Sequence, residues 1–205
     1  MKKMIILTIA LFSFYSKAYA LTWEEIYNAY KSSYDYEKMY RYEDSIIAIS
    51  SVYKEYETGY TINLRLGWLY YLKGDYANSK FHYQNAMKVY PYYIEAKIGY
   101  MLPLMAQQKY SEVEEMAYNV LKTDYYNYYA NYRLALALRY QEKYELAEAI
   151  VSKILYLYPT DTLFLTELAL IKELQEDKEK ASEIFKSIIT LDPNNQIALK
   201  YLYKK

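Results

Sequence analysis

Four tyrosines constrain this chain more than any other feature. Tyr42, Tyr76, Tyr110 and Tyr144 recur at a strict 34-residue interval, with Lys178 in the fifth place. Pro159 and Pro193 are also 34 apart, Pro91 lies twice that distance before Pro159, and Tyr125 holds the skipped position. Other columns keep the same phase. One reads Ser45, Ser79, Val113, Ala147 and Ala181; another reads Val52, Ala86, Val120, Ile154 and Ile188; the next reads Tyr53, Met87, Leu121, Leu155 and Ile189. Five copies run without an insertion, so one small unit is built five times and stacked.

Inside a copy the apolar spacing is helical. Leu66, Gly67 and Tyr70, and again Leu134, Ala135 and Leu138, fall at i, i+1 and i+4 on one face. Tyr83, Ala86 and Met87, and Val151, Ile154 and Leu155, follow i, i+3, i+4 in the second segment. Short polar turns separate the two segments: Lys73-Gly74-Asp75, Gln107-Gln108-Lys109, Gln141-Glu142-Lys143 and Glu176-Asp177. Breaks such as Tyr158-Pro159-Thr160-Asp161 and Asp192-Pro193-Asn194-Asn195 end each unit. Tyrosine alone prefers strands, so periodicity decides here. With 32 tyrosines but only 4 glycines and 4 prolines, the chain also has too few turn formers for many short strands.

These residues resemble the tetratricopeptide repeat family, whose pattern is Leu-Gly, an aromatic, Ala, an aromatic, then Pro. The match is fullest in Leu66-Gly67-Trp68-Leu69-Tyr70, Tyr76, Tyr83, Ala86 and Pro91. It recurs in Leu134-Ala135, Tyr144, Ala147 and Pro159, and in Leu168-Ala169, Ala181, Phe185 and Pro193. The resemblance implies an all-α fold: a right-handed α-solenoid of about five helix-turn-helix repeats. The copies span 26–59, 60–93, 94–127, 128–161 and 162–195, and 196–205 forms a C-terminal capping helix. Two copies depart from the pattern. The first has Ser32-Ser33 in place of Leu-Gly. The third has Met101 at the small position and Pro103 inside its first helix, where a proline removes a hydrogen bond and predicts a kink. Ile98-Gly99 offers an alternative Leu-Gly step with the helix starting two residues earlier.

The first twenty residues read as a secretory signal. Lys2 and Lys3 precede a short apolar run from Met4 to Phe14, and Ala18-Tyr19-Ala20 gives a cleavage pattern after Ala20. Eleven residues are too few to span a bilayer, which takes about 20. No other stretch is long and apolar enough for a span, so residues 21–205 are expected to be periplasmic or otherwise exported. Cleavage leaves 22 basic residues against 25 acidic ones. The chain has no cysteine, so disulfides, thiolate metal sites and a cysteine nucleophile are excluded.

Catalytic chemistry has no foothold in the sequence, so no enzyme activity, metal or cofactor is expected. His82 is the one histidine and reads as exposed and idle. Glu24-Glu25 and Glu114-Glu115 are sequence neighbours that point about 100° apart on a helix. There is no Gly-rich phosphate loop, and the Lys and Arg residues are dispersed, so nucleic acid is not an expected partner.

What remains is a surface. In this family a second stripe on each first helix lines a concave groove. Here it reads Tyr27, Tyr30 and Tyr34; Leu64, Trp68, Tyr71 and Leu72; Ile98, Leu102 and Met105; Tyr129, Tyr132, Leu136, Arg139 and Tyr140; and Leu163, Leu170 and Leu174. Lys31, Arg65 and Arg133 fall near its edge. The candidate partner-binding residues are Tyr30, Tyr34, Arg65, Trp68, Tyr71, Leu102, Tyr129, Tyr132, Arg133, Leu136 and Tyr140. Tyr and Trp suit interfaces because they bury much area and keep a polar tip. The bland alternative is that these rings simply pack between copies. The chaperone-tail clamp of some family members uses Lys, Arg and Asn where this chain has mostly Tyr, Leu and Trp, so that activity is not carried over. The expected function is an exported scaffold that holds a protein or peptide segment, in cell-envelope assembly or secretion. A glycan-binding module with stacked rings, or self-association into a homo-oligomer, are the alternatives.

Overall fold

The structure, a computed structural model, describes residues 20–203. The expected signal segment lies outside these residues apart from Ala20, which is exposed. Among the described residues there are twelve helices and no strand. The first hairpin is α1 (Trp23–Lys38) with α2 (Tyr42–Ala48) and α3 (Ser50–Glu55). Four more follow: α4 (Tyr60–Lys73) with α5 (Tyr76–Val89), α6 (Ile94–Ala106) with α7 (Tyr110–Leu121), α8 (Tyr128–Tyr140) with α9 (Tyr144–Leu155), and α10 (Thr162–Leu174) with α11 (Lys178–Leu191). The last helix is α12 (Gln196–Leu202).

Local chemistry places the helix starts. Thr22 forms a capping box: its hydroxyl accepts from the Glu25 amide at 3.2 Å, and the Glu25 carboxylate accepts from the Thr22 amide at 2.7 Å. Asp75, Asn127, Asp161, Asp177 and Asn195 cap α5, α8, α10, α11 and α12 with side-chain oxygens. The tight turns share one backbone device. Tyr40, Gly74, Gln108, Glu142 and Glu176 occupy the same place in the five copies, and all have positive φ, from 58° to 82°. Only the second copy uses the residue for which this conformation carries no steric cost.

Packing explains the columns. Each first helix from α4 onward touches the next first helix, α4 to α6 to α8 to α10, while the second helices pack mainly on flanking first helices. The first helices therefore form the closely spaced inner layer and the second helices the outer one. The two layers meet at small residues. Ser79 donates from its hydroxyl to the Gly67 carbonyl at 2.7 Å, and Ser45 does the same to the Ser33 carbonyl at 2.7 Å. In later copies the apolar Val113, Ala147 and Ala181 take that place, fully buried. Ser33 thus does the work expected of glycine, and the first copy keeps its close approach.

The third copy resolves its ambiguous register. Helix α6 starts 34 residues after α4, not two earlier, so buried Met101 fills the small position. Gly99 serves a different purpose. A methyl group there would overlap the ring of Tyr83, and one at Gly67 would lie 2.9 Å from the same ring. Tyr83 is wedged between α4 and α6, and the two glycines make the slot. Helix α6 continues through Pro103 without interruption.

Two expectations need correction. The second helix of the first copy is broken: Ile49 ends α2 and begins α3. His82 is buried, not exposed. Its ring stacks on Tyr70 at 5.3 Å, meets Tyr53 edge-on at 5.1 Å, and places Nδ1 2.9 Å from the Asn63 side-chain oxygen. The Asn63 amide nitrogen already donates to the carbonyls of Glu57 and Gly59, so His82 Nδ1 is the donor. Burial pushes its pKa down to about 4, which keeps the ring neutral at ordinary pH.

Candidate binding groove

The inner layer carries the residues the sequence points to, in three groups. At the N-terminal end, Tyr30, Tyr34, Arg65 and Trp68 line one cleft of about 490 Å3 together with Glu37, Tyr60, Thr61, Leu64 and Glu95. Arg65 is not at the edge of the groove but sealed beneath it, 6% exposed. Its guanidinium pairs with Glu37, donates to the Ser33 hydroxyl, and lies 3.7 Å under the Tyr34 ring centroid. The other Glu37 oxygen accepts from the Trp68 indole at 2.8 Å. Arg65 is thus a support that fixes Tyr34 and Trp68, and the rings face the cleft.

In the middle, Tyr71 packs on Trp68 with centroids 5.7 Å apart. Tyr71, Tyr83 and Tyr129 gather around Arg133, whose guanidinium donates to the Ile98 carbonyl at 2.6 Å and lies 5.7 Å from the Tyr129 ring centroid. Burial holds the Arg133 pKa below its usual value and pushes the Tyr83 phenol up. Leu102 is half-buried on α6 nearby.

Toward the C-terminal end, half-buried Tyr132 meets Phe164 edge-on at 5.7 Å. Burial and the neighbouring Glu167 push its phenol up to about 12. Leu136 is half-buried one turn along α8. Arg139 and Glu167 form a largely buried two-pronged pair with contacts of 2.7 and 3.2 Å. Tyr140 is exposed and stacks on Tyr110 at 4.8 Å, so it belongs to the tight-turn edge. A larger recess of about 670 Å3 opens among α5, α6 and α7, with Lys97 and Lys122 set against Glu112 and Glu115. Its lining is of mixed charge.

The sequence reading missed one regularity that the structure makes plain. Arg65 pairs with Glu37, 28 residues earlier, and Glu167 pairs with Arg139, also 28 earlier. The ion pairs sit at one register position of the junction between neighbouring copies. At the two middle junctions the same position holds Tyr71 with Gly99, and Met105 with Arg133. This signal was present in the spacing, but it needs knowledge of which helix touches which.

No group of three or more His, Asp or Glu residues is placed to hold a metal ion among the described residues. No described helix is long and apolar enough to cross a membrane.

Geometry alone places the chain among the α-solenoids of stacked helical hairpins. The family model for the tetratricopeptide repeat matches two segments, 60–93 and 164–195, and these two segments are tetratricopeptide repeats. No curated protein sequence matches it significantly. Solved structures share its fold. MamA (residues 41 to the end) from Desulfovibrio magneticus RS-1 superposes with a TM-score of 0.73 at 16% identity, over 84% of this chain and 98% of that one. A tetratricopeptide repeat protein from Parabacteroides merdae gives 0.76 at 14% identity, over 87% of this chain and 71% of that one. PilW, described as a widely conserved type IV pilus biogenesis factor, gives 0.71 at 19% identity, over 90% and 93%. At these identities the likeness establishes the fold and nothing finer.

Proposed function

We propose that this protein is an exported scaffold that holds a segment of a partner protein along its inner wall. One observation carries the reading. The face made by α1, α4, α6 and α8 is aromatic and aliphatic, yet its residues stay partly open to solvent. Trp68, Tyr71, Leu102, Tyr132 and Leu136 are half-buried, and Tyr34 and Tyr129 are exposed. Core packing alone would have closed these rings off. An open, continuous, apolar wall on a folded chain is the form of surface that binds a helix or an extended segment. The rings are also held in place: Glu37 fixes Trp68, Arg65 fixes Tyr34, and Phe164 fixes Tyr132. Rigid aromatic anchors lose little entropy on binding.

Export rests on the signal-like first twenty residues. PilW, a pilus biogenesis factor of the same fold, supports an envelope setting by analogy. The test is affinity capture from an envelope extract with the mature chain and with a Trp68→Ala plus Tyr132→Ala variant of unchanged helicity. The variant is expected to lose partners that the mature chain retains. Equal recovery by both would remove the groove from consideration.

A further inference from the structure

The register of the inter-copy ion pairs singles out Arg133. At the first and last junctions an arginine meets a glutamate 28 residues away in sequence. At the third junction Arg133 occupies the same position, but its counterpart is Met105. Among the described residues no carboxylate lies within ion-pairing distance of Arg133, and the groups around it are the phenols of Tyr71, Tyr83 and Tyr129. One nitrogen donates to the Ile98 carbonyl. No protein acceptor meets the other guanidinium nitrogens, and none of them is sealed away from the surface. A half-buried cation without an anion is costly, because rings and one carbonyl replace only part of its hydration.

We propose that Arg133 is the anchor for an aspartate or glutamate side chain carried by the segment that occupies the groove. This rests on the reading of the groove given above and adds the charge its partner must carry. Geometry favours an internal acidic residue over a terminal carboxylate. Arg133 lies midway along the wall, with Trp68 and Tyr71 on one side and Tyr132 and Leu136 on the other. A segment passing over Arg133 in both directions covers both sets of rings, whereas a chain ending there leaves one set bare. The cleft at the N-terminal end presents Glu37 and Glu95, so a second acid on the segment is disfavoured there. The recognised chemistry is therefore one carboxylate flanked by apolar side chains. The incoming carboxylate would complete the junction as Glu37 completes the first and Glu167 the last.

The probe is a pair of immobilised twelve-residue peptide sets with aromatic and aliphatic residues at alternate positions and amidated C-termini. One set carries a central Asp and the other a central Asn. A third set carries Asn and a free C-terminal carboxylate. The mature chain is expected to retain the Asp set about tenfold more tightly than the Asn set, the scale of one charge-assisted hydrogen-bonded pair. Arg133→Gln, which keeps a donor for the Ile98 carbonyl, should erase that difference while leaving apolar retention in place. Arg133→Lys should restore part of it. Trp68→Ala plus Tyr132→Ala should weaken all sets alike. Equal retention of the Asp and Asn sets, a preference that survives Arg133→Gln, or preference for the free-carboxylate set overturns the inference and leaves the groove standing. Failure of every set to bind the mature chain overturns both.

Discussion

Replacing Gly99 with alanine pits two effects against each other. Alanine is the better helix former by about 1 kcal/mol in a helix interior such as α6, so propensity alone predicts stabilisation. The added methyl, however, would fall on the Tyr83 ring, which is 3% exposed and held on its other side by Gly67. The ring has no free direction in which to retreat. Overpacking costs about 1–3 kcal/mol, and more where neighbours are fixed. Taking the upper end for a wedged ring and subtracting the propensity gain leaves a loss of about 2 kcal/mol. Urea unfolding followed by helix signal should show the midpoint fall with the slope unchanged. The cycle with Tyr83→Ala supplies the decisive comparison. In that background the slot is empty, and Gly99→Ala should become neutral or stabilising by up to about 1 kcal/mol, leaving a coupling of about 3 kcal/mol. If Gly99→Ala stabilises the parent chain, the wedge is not a constraint and the reasoning fails.

Three further outcomes follow from the same structure. His82 takes up no proton until about pH 4 when folded, whereas an unfolded histidine titrates near 6.5. Stability should therefore fall as pH drops from about 6.5 to about 4, by at most about 3 kcal/mol, and His82→Gln should flatten that limb of the pH–stability curve. Removing one partner of the buried Arg139–Glu167 pair, for instance Glu167→Gln, should cost about 3 kcal/mol because it strands a charge; a double-mutant cycle with Arg139→Met should recover much of it. Changing Gln108, Glu142 or Glu176 to glycine relieves a left-handed backbone and should raise stability by about 0.5–1 kcal/mol each, while Gly74→Ala should lower it, all measurable as thermal midpoints.

The fold was legible because the repeat repeats. Columns of Tyr, Ser or Ala, and Val or Ile carry helical period and copy length at once, so the hairpins follow from spacing. What the sequence hid were contacts between columns. Tyr83 and Gly99 are in different copies, and nothing in either local pattern says that one ring reaches the other. His82 looked idle because a lone histidine has no chemistry. Its role is to satisfy the Asn63 oxygen, which a copy-by-copy alignment cannot reveal. The equivalent Asn131 makes the same two amide donations to the turn before it. Its side-chain oxygen is left without a partner, because Ile150 stands where the second copy has His82. Of the candidate groove residues, Arg65 reads in sequence as an edge cation but is buried, since Glu37 and Ser33 draw it inward. The open aromatic wall was visible as a stripe; its charge state was not, because pairing depends on a 28-residue offset between helices of different copies.

That offset bears on how five similar hairpins avoid docking in the wrong order. At the first junction the earlier copy brings the acid and the later one the base; at the last junction the polarity is reversed. If the fourth hairpin were to settle against the second, Arg139 would confront Arg65. If the first settled against the fifth, Glu37 would confront Glu167. Like charges forced together in a half-dry seam are heavily penalised, so each end of the array rejects the other's neighbour. A chain whose hairpins are near copies of one another thus carries an address written in charge, and misassembled stacks are turned away before they can set.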